Sequence, residues 1–168
     1  MVRRAHSFTG GAPPEPRPPL TMARPRDPRG TRRTQAARRR AEDRELVARA
    51  VDALRRRYDA ERHTVGAAVR TRDGSVYVGV NLEGIHSPCA EPVAVGAALT
   101  AGNAEIEAMV AVCRLGRRYP ILNPCGTCRQ MLLDYAPRAY ALVAGPGGRP
   151  RRLGAAALLP APFRTRGP

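Results

Sequence analysis

Residues 89–128 read CAEPVAVGAALTAGNAEIEAMVAVCRLGRRYPILNPCGTC. Three of the four cysteines of the chain sit at the two ends of this stretch. Cys89 precedes Glu91 by two positions, and Cys125 and Cys128 enclose Gly126-Thr127. Between them, Ala90–Ala101 is an apolar run closed by Gly102-Asn103, a pair suited to the end of a helix. Ile106–Cys113 is a short run rich in Val and Met, the composition of a buried strand. Pro92 lacks an N–H and is tolerated only in the first turn of a helix. With Cys89 as the N-cap, Pro92 falls at the third helical position, where no backbone bond is lost. Cys125 and Cys128 stand three apart at the start of a further helix, Gly126–Tyr135, and therefore share one face of it. That helix stops before Pro137. Two helix starts, separated by a strand, thus carry the sulfurs.

Outward from this stretch the chain keeps alternating. Leu46, Val47, Ala50, Val51 and Leu54 recur at helical spacing and predict a helix over 42–60. Val65–Thr71 reads as an apolar strand, Arg72-Asp73-Gly74-Ser75 as a hairpin turn with the strong Asp-Gly signal, and Val76–Asn81 as the returning strand. Residues 82–88 form a loop. Downstream of the quoted stretch, Ala139–Ala144 is a further strand, Gly145–Gly148 a turn, 151–153 a weak strand and Leu153–Leu159 a short helix. Helices interleaved with strands in this order favour an α/β fold, a mixed sheet covered by helices.

The chain has 168 residues, enough for one domain with arms. Apolar residues make up 43 % and aromatics only 4 %, with no Trp, so the core is built from Ala, Val and Leu. All 29 basic residues are Arg, a compositional bias that stops any one Arg from being a functional sign by itself. Their distribution is uneven. Residues 1–40 hold 11 Arg against 2 acids, residues 41–148 hold 13 against 12, and residues 149–168 hold 5 against none, giving the net charge of +15. The near-neutral middle argues against a domain built on a nucleic-acid backbone. No apolar run approaches the ~20 residues of a membrane span, and no apolar stretch follows the basic start as in a secretory signal. A cytoplasmic protein is expected. Residues 1–40, with seven Pro and few large apolar side chains, are expected to be a disordered Arg/Pro-rich extension. An extension ahead of a start at Met22, an Arg-rich transit peptide and a nucleic-acid-binding arm are the readings open for it. The folded domain is expected over 41–163, with 164–168 as a tail.

Clustered cysteines without an export signal point to metal or catalysis rather than disulfides. A closed structural zinc site wants four protein ligands. Cys113 ends an apolar strand and reads as a buried hydrophobe. Cys89, Cys125 and Cys128 then leave a fourth position open, the form of a catalytic zinc site, where a water acquires a pKa of roughly 7. Helix N-termini favour thiolates. Glu91 lies within reach of such a water and is the candidate proton carrier.

Val65-Gly66-Ala67-Ala68, Gly79-Val80-Asn81, Cys89-Ala90-Glu91 and Pro124-Cys125-Gly126-Thr127-Cys128-Arg129 together resemble the cytidine deaminase family over residues 42–163. Cys89–Gly102 and Leu132–Pro137 look like its blasticidin-S deaminase branch. The resemblance implies a three-layer sandwich, a five-stranded mixed sheet flanked by helices. It also implies one Zn²⁺ per chain and hydrolytic removal of the 4-amino group from a cytosine nucleoside, with Glu91 carrying the protons. Cytidine and deoxycytidine are the substrates expected from Asn81 and Glu83, which match the family's Asn-x-Glu and imply contacts to a ribose hydroxyl. A nucleoside antibiotic of the blasticidin-S type is the alternative, and a nucleic-acid-binding protein with structural zinc a more distant one. Ala90 and Phe163 are further implied substrate contacts. The aromatic after Leu158-Leu159-Pro160 closes over a base in such enzymes, often in a neighbouring subunit of a tetramer. His86 lies in the loop before Cys89, and His63 precedes the first strand. One position departs from the pattern. Many three-cysteine members carry Arg after the catalytic Glu, where this chain has Pro92, so Arg129 and the helix ends are left to offset the −1 charge of zinc with three thiolates.

Overall fold

The computed structural model describes residues 28–164. Four helices, α1 (Pro28–Arg57), α2 (Ala90–Thr100), α3 (Gly126–Tyr135) and α4 (Ala155–Leu158), accompany six strands. The strands are β1 (Val65–Thr71), β2 (Val76–Val80), β3 (Ile106–Cys113), β4 (Ile121–Leu122), β5 (Tyr140–Ala144) and β6 (Pro150–Gly154). Five of them form one sheet in the order β2-β1-β3-β5-β6, and β4 pairs with the end of β3. β3 and β5 run parallel while the other pairs are antiparallel, so the sheet is mixed.

Strand alternation sorts the side chains into two cores. Ala68, Ala108, Val110, Val112 and Leu142 face Leu46, Ala50 and Leu54 of α1. Ala67, Val69, Met109, Ala111, Ala141 and Val143 face Ala90, Ala94 and Ala98 of α2, Leu132 of α3 and Leu158 of α4. The result is three layers, with α1 on one face and the other three helices on the opposite face. Small residues bring the layers close. A Cβ on Gly66 would stand 2.6 Å from the Ala50 carbonyl, and one on Gly79 would stand 2.6 Å from the Ala94 nitrogen and 2.7 Å from the Ala90 carbonyl oxygen. The second contact seats the first turns of α2 directly on β2.

The β1–β2 hairpin turns at Gly74, whose φ of 91° a Cβ would strain. Asp73 braces it, accepting from the Thr71 hydroxyl at 2.7 Å, the Ser75 N–H at 2.9 Å and the Asn103 amide at 2.9 Å. The Thr71 hydroxyl and the Ser75 N–H hold the Asp73 carboxyl down to about 2. A carboxyl with a lowered pKa stabilises the fold above its ordinary value of 3.8 and loses that contribution as pH falls through about 2. Asp73→Asn is therefore expected to lower the melting temperature at neutral pH, with the gap to the parent closing between about pH 4 and pH 2. A gap independent of pH across this window would show that the carboxylate charge is not what braces the turn.

Two elements differ from the sequence expectation. The first helix begins at Pro28 and ends at Arg57, not at 42 and 60. Residues 28–40, expected to be disordered, continue it. They offer no apolar stripe, but Arg, Ala and Gln are good helix formers, and propagation from a packed helix needs no new nucleus. The remaining extension, 1–27, and the tail from 165 lie outside the described residues. The helix stops where Asp59 caps a turn, accepting from the Glu61 N–H at 2.9 Å. β4 lies in a stretch expected to be loop, since two residues carry no periodicity.

A polar cluster pins α1 to the sheet. The Tyr140 hydroxyl donates to Asp43 at 2.9 Å and accepts from Arg70 Nη2 at 2.8 Å. Arg152 Nε donates to Asp43 at 2.7 Å. Burial and then the Asp43 hydrogen bond push the Tyr140 phenol up to about 12.

Candidate active site

Cys89 and Cys125 are the N-caps of α2 and α3, and Cys128 lies on the first turn of α3. The three Sγ atoms lie within 4.8 Å of one another, with Cys89 and Cys125 at 3.6 Å. All three are free thiols. Sulfurs around a tetrahedral zinc with bonds of about 2.3 Å stand about 3.8 Å apart, so the donor set fits that ion in both chemistry and spacing. Cys113 stands apart, half-buried at the end of β3 opposite Val65.

The thiols are not equivalent. Burial and then the neighbouring Cys125 push Cys89 up. Burial and then the Glu91 charge push Cys128 up strongly. Burial also raises Cys125, but the Cys128 backbone N–H, the Cys128 and Cys89 thiols and the Thr127 N–H together outweigh it and hold that thiol low. A start-of-helix position therefore acts as expected for one sulfur of the three. A divalent cation at the cluster inverts the balance for the other two.

A cavity of about 200 Å³ opens beside the cluster. Cys89, Cys125, Ala90 and Glu91 form one wall, Asn81 and Glu83 another, and Thr64, Ala111, Leu122 and Asn123 close it. Glu91 is 5 % exposed, and its carboxylate makes no hydrogen bond to a described residue. Its α2 position, two residues beyond Cys89, follows from the seat that Gly79 gives that helix. The cavity thus carries thiols, one buried carboxylate and an open side toward solvent.

Asn81 is buried and mostly committed to the protein. Its Oδ1 accepts from the Thr64 and Val65 N–H groups, each at 2.8 Å, and its Nδ2 donates to Glu83 Oε1 at 2.8 Å. It joins the end of β2 to the start of β1 and orients Glu83, leaving one Nδ2 hydrogen for a ligand. His63 supports the same joint, its Nδ1 at 2.8 Å from the Asn81 carbonyl oxygen. His86 is exposed and does not line the cavity.

Phe163 is not brought to this cavity. It is 75 % exposed on the outer side of α3, where its backbone exchanges two hydrogen bonds with Gln130, at 2.9 and 3.0 Å. Seven further residues line the cavity beyond those expected from the sequence, Thr64 and Asn123 among them. Thr64 comes in through the Asn81 joint. Asn123 follows the two-residue β4, and its Oδ1 accepts the Ala144 N–H at 2.9 Å. Its place directly before Pro124-Cys125 was the available signal.

Arg129 pairs with no acid among the described residues. Its Nε donates to the Pro124 carbonyl at 2.8 Å and its Nη1 to the Leu158 carbonyl at 3.2 Å. It therefore fixes the turn that presents Cys125 and ties it to α4. Arg129→Ala is expected to speed loss of zinc to a chelator several-fold and to lower turnover, with an unchanged rate counting against this role.

A family model, the cytidine and deoxycytidylate deaminase zinc-binding region, matches residues 40–144. The chain is 34 % identical over 110 residues to the blasticidin-S deaminase of Bacillus cereus, covering 61 % of this chain and 79 % of that one. It is 38 % identical over 96 residues to a cytidine deaminase of Mycobacterium tuberculosis, covering 55 % and 68 %. The crystal structure of the cytidine deaminase from Burkholderia pseudomallei superposes with a TM-score of 0.59 at 32 % identity, over 71 % of this chain and 97 % of that one. Three thiols spaced for one zinc, the mixed sheet that holds them and these likenesses converge: the chain belongs to the cytidine deaminase family of zinc-dependent hydrolytic deaminases.

Proposed function

We propose that the chain converts the 4-amino group of cytidine or deoxycytidine to the corresponding uracil nucleoside and ammonia. The observation that carries this reading is Glu91, 5 % exposed overall, which lines the same cavity as two of the three thiols and makes no hydrogen bond to a described residue. Cys89, Cys125 and Cys128 hold the zinc, which when bound supplies the Lewis acid that makes water a nucleophile at neutral pH. Glu91 moves the protons. It passes one proton of the attacking water to ring N3 and the other to the amino group, which leaves as ammonia. Ala90, fully buried at the base of the cavity, packs against the ring. Glu83, oriented through Asn81, accepts a hydrogen bond from a sugar hydroxyl.

A second reading, a deaminase for a nucleoside antibiotic of the blasticidin-S type, draws on the 34 % identity to the Bacillus cereus enzyme. Exposed Tyr135 and Phe163 on one side of α3 support a homo-oligomer, a tetramer in the family's manner, in which Phe163 reaches a neighbour's cavity.

The test is a substrate panel followed by ultraviolet absorbance. Turnover of cytidine and deoxycytidine well above that of blasticidin S is expected. The reverse order favours the second reading, and absence of turnover with all three overturns both.

A further inference from the structure

A second concave site lies on the far face of the sheet, away from the thiols. Arg40 and Arg44, one turn apart on α1, face Arg149 and Pro150 across a cleft of about 570 Å³. The one acid in its lining, Asp43, is 8 % exposed and already engaged by Arg152 and Tyr140. No carboxylate among the described residues pairs with Arg40, Arg44 or Arg149. Three exposed guanidinium groups thus stand around a cleft that offers them no free counter-charge.

The charge continues along the helix. Arg32, Arg33 and Arg39 are exposed on the part of α1 that precedes its core-facing residues. From Arg32 to Arg44 the row is about 18 Å long at 1.5 Å per residue. Arg side chains bind phosphates through paired N–H donors. A row of this length, rather than one converging pocket, matches a chain of phosphates.

We propose that the cleft between α1 and β6 binds a single nucleic-acid strand through its phosphates. A volume of about 570 Å³ suits a single strand rather than a duplex. The cleft holds no aromatic ring on which bases stack, so recognition is of the backbone and independent of sequence. Of the three guanidinium groups, only that of Arg44 belongs to the near-neutral stretch 41–148; Arg40 and Arg149 lie in the basic segments on either side of it. This site is independent of the deaminase reading, since its residues come from α1, β6 and the turn before β6.

The test uses the full chain and a fluorescently labelled single-stranded oligouridylate of about 20 nucleotides, with anisotropy read across a salt series. Binding is expected at low salt, with log K falling linearly against log salt. Arg40→Ala/Arg44→Ala/Arg149→Ala is expected to weaken binding at least tenfold and to flatten the slope by about 2, from about 0.7 per phosphate contact. A charge-matched variant, Arg56→Ala/Arg57→Ala/Arg117→Ala, is expected to bind much more nearly like the parent. Melting temperature and deaminase turnover should not change in either variant. Equal losses in both variants would reduce the effect to net charge and overturn the assignment. So would no binding at low salt, or one-to-one binding of tripolyphosphate with none of the oligonucleotide.

Discussion

Glu91→Gln is expected to lower turnover of a cytosine nucleoside by roughly 10²- to 10⁴-fold, the range for loss of a positioned general acid–base group. The substitution keeps the shape of a side chain that is 5 % exposed on the first turn of α2. An amide neither takes a proton from water nor delivers one to the ring. The sulfurs of Cys89, Cys125 and Cys128 are untouched, so zinc content should remain at one per chain. Loss of turnover together with loss of zinc would mean that Glu91 serves the metal and not the protons. Turnover within a few-fold of the parent would remove Glu91 from the chemistry.

Gly79→Ala is expected to destabilise the protein by about 1–3 kcal/mol, the usual cost of overpacking, and to cut turnover on the order of 10²-fold. The new methyl would meet the Ala94 nitrogen at 2.6 Å and the Ala90 carbonyl oxygen at 2.7 Å. Both are backbone atoms, so no rotamer change relieves the clash, and α2 itself must lift. Cys89 and Glu91 ride on the end that moves. Displacements of about 1 Å at a reacting centre carry losses of that order. Gly96→Ala on the same helix is the control. A Cβ there meets nothing within 4 Å, and Ala in place of Gly inside a helix stabilises by roughly 0.5–1 kcal/mol. Opposite signs for the two variants, read by thermal melting and zinc retention, are the expected result. Equal effects would show that packing of α2 on β2 does not position the site.

Much of this architecture is local and therefore legible in the chain. Val65–Thr71, Ile106–Cys113 and Gly126–Tyr135 were each readable from residue type and periodicity, and the structure begins and ends those elements at the same residues. The Cys89 and Cys125 positions follow from local rules for helix starts, with Pro92 limiting the first and Pro124 preceding the second. What escaped depends on distant partners. The helical run from Pro28 has no apolar stripe to announce it. β4 exists because Ile121 and Leu122 find Val112 and Ala111 to pair with. Asn81 Oδ1 also accepts from the Thr64 and Val65 N–H groups, seventeen and sixteen positions away, a joint that its own stretch does not announce. Gln130 holds the Phe163 backbone on the outer side of α3, a contact across 33 positions that neither segment announces. The Asp43–Arg152 pair spans 109 positions, and no pattern within either segment reveals it.

Zinc-edge X-ray absorption on protein purified with its metal addresses the central claim directly. One zinc per chain is expected, with three sulfurs at about 2.3 Å and one lighter atom completing the tetrahedron. Four sulfurs around the ion, or folded protein that holds no zinc, would contradict it.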